Sequence, residues 1–173
     1  AQDITYQGNT FKNTSGCGFE IGGDTDPQFF CAGADFEAKN IRFYCNVFVS
    51  CANGLQLFSC VNSEVRNNTF YNTTSKPFRG LCCSSVYPGI SGNRAENNLF
   101  AFGSTAYMNA SPLDSGAVAF NRNLYYSIVD TNFYGPFWDA EWGANRDTAP
   151  LLYGAGNPMF ADGPNSDFHL ATG

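Results

Sequence analysis

Apolar and polar positions alternate in five short stretches: Ile4-x-Tyr6, Ile41-x-Phe43, Ser63-x-Val65, Asn93-x-Ala95 and Val118-x-Phe120. A period of two turns one face of a segment inward and the other outward, which suits a strand and not a helix. Each stretch is followed by an Asn with an aromatic residue two places on: Asn9/Phe11, Asn46/Phe48, Asn68/Phe70, Asn98/Phe100 and Asn123/Tyr125. These asparagines are 37, 22, 30 and 25 residues apart. The shortest interval is about one turn of a solenoid, and the longer ones then carry loops.

Stacking such units accounts for the rest of the pattern. The aromatic residue after each Asn points inward onto its equivalent in the next coil, and the Asn sits at a bend, bonding to backbone and to the Asn above and below. Asn tolerates left-handed backbone and satisfies bend amides, and the chain has 19 Asn, 18 Gly and 17 Phe. No stretch holds a helical period. A β-sandwich also alternates between turns, but it has no reason to repeat Asn-x-aromatic five times. The reading is an all-β solenoid.

At this point the chain resembles the right-handed parallel β-helix proteins of the pectate-lyase-like superfamily. The resemblance lies in Ile41–Phe48, Glu64–Phe70 and Val118–Tyr125 at the bends. It continues in the Gly- or Pro-led strands Gly18-Phe19-Glu20-Ile21, Gly54-Leu55-Gln56-Leu57 and Pro77-Phe78-Arg79. The tail, Asn157-Pro158-Met159-Phe160-Ala161-Asp162 then Asp167-Phe168-His169-Leu170, is similar to the closing segment of such domains. The resemblance implies a single right-handed β-helix domain of about five to six coils over residues 1–173. Coils fall near 4–40, 41–62, 63–92, 93–117 and 118–137, with a closing segment at 138–173, and the domain is expected to be part of a larger protein. It does not imply one activity, because such folds include lyases, hydrolases, adhesins and scaffolds.

Length and charge narrow the field. A chain of 173 residues can bury a core of its own. Charged residues are 14% of it and the net charge is −6, against about 25% charged in an average domain. No basic stripe suits a phosphate backbone, so nucleic acid is not an expected partner. No apolar run is long enough to span a membrane. The start at Ala1 suits a mature secreted chain.

Seven cysteines (Cys17, Cys31, Cys45, Cys51, Cys60, Cys82 and Cys83) contain no CxxC, and one His is too few for a usual zinc set. Disulfides in a secreted or cell-surface protein are expected instead. Cys60 falls opposite Cys82 or Cys83 when the coils are aligned, Cys17 and Cys51 fall on nearby loops, and the connectivity stays open. Of four N-x-[ST] sequons, at Asn13, Asn67, Asn72 and Asn109, Asn13 and Asn72 are the expected glycan sites.

Among such folds the ligand groove runs along the strand after the bend. Its outward positions are Glu20, Gln56, Arg79, Asn109 and Tyr134. The long insert at about residues 22 to 40 brings Asp24, Asp26, Asp35 and Glu37 as an acidic wall. Tyr134, Phe137, Trp138 and Trp142 cluster late, and aromatic faces suit sugar rings, although some of them are expected to cap the last coil. The outward charges Arg42, Glu64 and Arg94 share one column, and Arg66 and Glu96 the next, as cross-strand pairs. His169 has no nucleophile or carboxylate placed beside it.

The functional expectation is an extracellular module that binds a polysaccharide or glycan, or builds a surface scaffold, without catalysis or a cofactor of its own. Another copy of the chain, or upstream sequence, would cover its amino edge. The alternative is a polysaccharide lyase acting by Ca²⁺-assisted β-elimination on a uronate polymer. Arg79 would be its base, and Glu20, Asp24 and Asp26 would be hard-oxygen ligands. The chain lacks the Arg-x-Pro-x-x-Arg and Asp-His elements of pectate lyases. A glycoside hydrolase would need paired carboxylates; Asp139 and Glu141 are close in sequence, but the family's Asn-Thr-Asp and Gly-His-Gly signatures are missing.

Overall fold

The computed structural model describes residues 1–23, 25–81, 90–104, 107–111, 117–130, 132–133, 135–138, 146–152, 160–165 and 167–170. It is all-β, built on three parallel sheets through which the chain passes repeatedly. The first sheet holds Thr5–Gln7, Arg42–Tyr44, Glu64–Arg66, Asn93–Glu96 and Val118–Asn121 in sequence order. The second holds Thr10–Lys12, Val47–Val49, Thr69–Thr73, Leu99–Phe102, Leu124–Ser127 and Leu151–Leu152. The third holds Cys17–Ile21, Asn53–Phe58, Lys76–Leu81, Tyr107–Ser111 and Phe137–Trp138. Each of five passes thus gives one strand to each sheet, Leu151–Leu152 adds a sixth to the second, and each pass lies in register on the one before it, an arrangement compatible with a solenoid.

The corners explain the asparagines. The residue before the repeated Asn is left-handed in every pass: Gly8 (φ 69°), Cys45 (53°), Asn67 (55°), Asn97 (54°) and Arg122 (55°). A second left-handed column, Asp3, Asn40, Asn62 and Gly92, leads into the first sheet, and a third, Asn13, Ser50 and Asn72, leaves the second. Gly and Asn are the residues that enter this conformation at least cost. A coiled chain therefore collects them at its corners.

The repeated asparagines form a continuous buried ladder. Asn46 donates from its backbone N (2.9 Å) and its Nδ2 (3.1 Å) to Asn68 Oδ1. Asn68 does the same to Asn98 (3.0 and 2.9 Å), and Asn98 to Asn123 (2.9 and 2.9 Å). The second Nδ2 proton reaches a first-sheet carbonyl, as from Asn68 to Phe43 O at 2.9 Å. Asn9 begins the ladder, and the carboxylate of Asp147 ends it, accepting from Asn123 N (3.0 Å), Asn123 Nδ2 (2.8 Å) and Tyr125 Oη (3.0 Å). These bonds satisfy bend amides that burial would otherwise leave unpaired.

The core is a column of rings. Phe11, Phe48, Phe70, Phe100 and Tyr125 stack with centroids 4.8, 4.6, 4.8 and 5.4 Å apart. Gly18 and Gly54, which head third-sheet strands, make room for this column. A Cβ on Gly54 would lie 2.2 Å from Pro77 O and 2.7 Å from the Phe70 ring, and one on Gly18 2.6 Å from the Phe48 ring. The Gly-led strand pattern is thus a packing requirement.

One expectation needs correction. The cysteines Cys17, Cys31, Cys45, Cys51 and Cys60 are all free thiols, so no disulfide forms among the described residues. The Cys17 thiol turns to Phe19 O and Gly54 O, Cys51 lies buried against Phe11 O, and Cys60 bonds Ser63 Oγ at 3.2 Å. Cys17, Cys51 and Cys60 are thus small core-side groups bonded to backbone or hydroxyl neighbours, in part on the adjacent pass, while Cys31 and Cys45 are exposed; Cys82 and Cys83 lie outside the described residues. Phe160–Asp162 and Asp167–Leu170 form an antiparallel hairpin. Its Phe160 and Phe168 cover Tyr71, Tyr126, Val49 and Ala101 on the outer face of the second sheet.

Candidate functional site

The register places the expected groove residues in one row on the third sheet. Glu20 lies opposite Gln56, Gln56 opposite Arg79, and Arg79 opposite Asn109. The first three side chains form a chain of hydrogen bonds. Gln56 Nε2 donates to Glu20 Oε2 at 3.0 Å, and Arg79 Nη1 donates to Gln56 Oε1. The amide thus couples a carboxylate on one pass to a guanidinium two passes on. Gln56 itself is buried, which fixes its flip state and holds both charged neighbours in place. Asn109 contributes its backbone to the row, and its side chain is outside the described residues.

Glu20 also belongs to the wall of a cavity of about 750 Å³ at the amino edge of the fold. Its rings come from Tyr6 and Phe19 of the first pass and from Phe29, Phe30 and Phe36 of the long insert. Tyr6 and Phe19 are inward-facing residues that touch Phe43 at 6.1 and 5.1 Å between centroids. They stay partly exposed because no pass of the described chain lies above them. The insert was expected as an acidic wall beside the groove; its phenylalanines instead lean over this edge.

Local bonds hold the insert in that position. The Glu37 carboxylate accepts from Gly23 N and Thr25 N, both at 2.7 Å. Gly22, with φ 88°, starts the insert where a Cβ would come within 1.9 Å of Phe58 O, so only glycine fits there. The Glu20 and Glu37 Oε1 atoms each come within 3.9 Å of the point where a Cβ on Gly23 would sit. The cavity therefore presents flat apolar faces next to two carboxylates, with Phe29 73% exposed at its rim. Such a surface can hold a ring between aromatic faces and accept hydrogen bonds from its hydroxyls or amines.

The other expected site residues are placed differently. Trp138 packs edge-on against Phe120 (5.0 Å) and Tyr125 (5.9 Å), which makes its indole part of the core's end and not an open platform. Tyr134, Trp142, Asp24, Asp139 and Glu141 lie outside the described residues. Asp26 is exposed and accepts from Gln28 Nε2 at 3.3 Å. Among the described residues no three His, Cys, Asp or Glu side chains converge as a metal site. His169 lies in the backbone of the tail hairpin. Asn13 is exposed at its corner, whereas Asn72 is half-buried and donates from Nδ2 to Ser50 Oγ at 2.9 Å. An attached sugar would displace that bond, so Asn13 is the better placed of the two acceptors.

Burial pushes the Cys17 thiol up to about 11 and the Cys60 thiol up to about 12, which keeps both protonated and unreactive near neutrality. Sequence reasoning missed Phe29, Phe30 and Phe36 as cavity-lining groups. The signal was present: three phenylalanines within one insert, which was read only for its acids. Compared with known proteins, the chain matches no family model, no curated protein sequence and no solved structure.

Proposed function

We propose that the chain is a right-handed parallel β-helix of about five to six coils, similar to the pectate-lyase-like superfamily, and that it works as a non-catalytic glycan-binding module. Parallel crossovers are right-handed in about 98% of cases, which supports the handedness. The glycan would lie along the Glu20–Gln56–Arg79–Asn109 row, with one ring entering the aromatic cavity. The observation that carries this reading is the continuity of the two features through Glu20, which belongs to both the hydrogen-bonded row and the cavity wall. Aromatic faces give a sugar apolar contact, and preset polar groups fix its orientation.

The sequons support an extracellular or cell-surface location, whereas the free thiols give that location no support. At the amino edge the strands Thr5–Gln7, Thr10–Lys12 and Cys17–Ile21 each pair on one side only, so another copy or a further coil would complete the sheets there. Nothing favours the lyase alternative: Arg79 is held by Gln56, and Asp26 by Gln28.

The test is calorimetric titration with neutral, uronate and amino-sugar oligosaccharides. Binding lost in Glu20→Gln and Gln56→Ala, with the fold intact by circular dichroism, supports the reading. No binding by any oligosaccharide at millimolar concentration overturns it. Ca²⁺-dependent release of unsaturated uronides would establish the lyase in its place.

A further inference from the structure

The outer face of the first sheet carries two charge columns, of which Arg66–Glu96 pairs across strands as its register suggests and the other does not. Register puts Arg42 and Arg94 on either side of Glu64, and alternating signs would have Glu64 shared between them. Instead one Glu64 oxygen accepts from Tyr44 Oη and the other from Arg66 Nη2 at 3.2 Å. Arg66 Nε also lies 3.2 Å from Glu96 Oε2, as an ion pair without hydrogen-bond alignment. A single arginine thus compensates both acids.

Arg42 and Arg94 are left exposed, and neither makes an ion pair with a described residue. Arg122, at a corner of the next pass, is also exposed and unpaired among the described residues. Three of the nine Lys and Arg residues of a chain with net charge −6 therefore share one face with Glu64 and Glu96, and Arg122 stands at a corner beside it. Arg122 also occupies a left-handed corner (φ 55°) that other passes fill with Gly8, Cys45, Asn67 and Asn97. Strain kept in this way at a charged, exposed residue points toward use. Beside Arg42 lies a polar hollow of about 400 Å³, lined by Asp3, Thr5, Asn40, Asn62 and Glu64.

We propose that this face docks an acidic peptide segment in the polyproline II conformation, with a carboxylate at every third residue. Arg42 and Arg94 are two strands apart, which at about 4.8 Å per strand is about 9.6 Å. Polyproline II turns once in three residues with a rise of about 3.1 Å each, so one of its faces repeats every ~9.3 Å. Same-face residues of an extended strand repeat at about 6.7 Å and miss this spacing. The planar guanidinium fork takes a carboxylate through two parallel hydrogen bonds, and the hollow leaves room for peptide backbone. This inference concerns a different face from the glycan row and does not depend on it.

The test uses fluorescence anisotropy at low salt with a labelled Asp-Pro-Pro repeat, against an Asp-Pro repeat carrying the same number of charges. Proline holds both peptides extended, so only the spacing of the acids differs. The Asp-Pro-Pro repeat should bind at least about threefold more tightly. Arg42→Ala and Arg94→Ala should each weaken it by about three- to fivefold, and Arg42→Lys by less. Lys12→Ala, which removes a positive charge from the second sheet, should leave binding unchanged. Equal binding of the two repeats, or indifference to Arg42→Ala and Arg94→Ala, overturns the proposal. It is also overturned if DNA or a sulfated glycan displaces the peptide at lower concentration than the unlabelled peptide does, since the face would then read charge alone.

Discussion

Removing one rung of the asparagine ladder should cost far more than a typical polar substitution. Asn68 is 1% exposed, and its side chain makes four hydrogen bonds. Asn68→Ala leaves the buried N–H of Asn46 without its acceptor, at a cost of about 1–3 kcal/mol. The three other bonds are worth about 0.5–1.5 kcal/mol each in net terms, and since neighbouring losses are not additive, about 3–5 kcal/mol is expected in all. Asn9→Ala removes an exposed rung that only donates, and should cost less than about 1 kcal/mol. Asn68→Asp keeps the acceptor but turns a carboxylate toward Phe43 O and Asn98 Oδ1; it should be at least as damaging at neutral pH and partly relieved by acid. Denaturant unfolding followed by circular dichroism gives the three values, provided the slope with denaturant is unchanged. If Asn68→Ala costs under ~1 kcal/mol, or no more than Asn9→Ala, the buried amides do not depend on the ladder.

Three further outcomes are expected. Stability should hold up to about pH 9 and fall above it. The folded state keeps the Cys17 and Cys60 thiols protonated up to about 11 and 12, while the unfolded chain releases those protons near its ordinary value. Tyr125, whose hydroxyl is pushed up by burial and by Asp147, adds to the loss above about pH 10, and Tyr125→Phe should flatten that part of a pH series of denaturation midpoints; a flat wild-type profile would contradict this. Arg122→Asn should raise stability by about 0.5–1 kcal/mol, because Asn enters the left-handed region more readily than Arg; a lower melting temperature would refute it. A maleimide should label exposed Cys31 and Cys45 in the native protein within minutes, and buried Cys51 and Cys60 only after denaturant is added. Equal labelling rates on mass analysis would show that the core opens.

The ladder and the ring column could be read in the sequence because stacking in register turns a structural column into a repeated motif. Asn46, Asn68, Asn98 and Asn123 recur for the same reason that Phe48, Phe70 and Phe100 do. The row from Glu20 to Arg79 could be counted out from the same period. The end of the ladder could not, because Asp147 belongs to no repeat and is identified only by what donates to it. The cavity was hidden for a related reason: Phe29, Phe30 and Phe36 lie in an insert without period, and their partners Tyr6 and Phe19 look like ordinary core residues. Of the two charge columns, Arg66–Glu96 pairs as counted, and the other misled where side-chain reach won over register. Arg66 bends back to Glu64 on its own strand and leaves Arg42 and Arg94 outside the pairing. Cysteine number suggested cross-links, yet the Cys17, Cys51 and Cys60 thiols bond backbone or hydroxyl oxygens and Cys31 and Cys45 stay exposed.

The asparagine column has a direction, and that sets where the fold can be lengthened. Every buried carboxamide hands one proton forward to the next asparagine and shows its oxygen backward, so a duplicated pass spliced between Asn68 and Asn98 would find a donor on one side and an acceptor on the other. Asp147 breaks the sequence of hand-offs: a carboxylate receives but has no amide proton to pass on. A designer adding coils beyond it would first have to restore asparagine at that position, whereas an added coil on the far side would meet the waiting oxygen of Asn9.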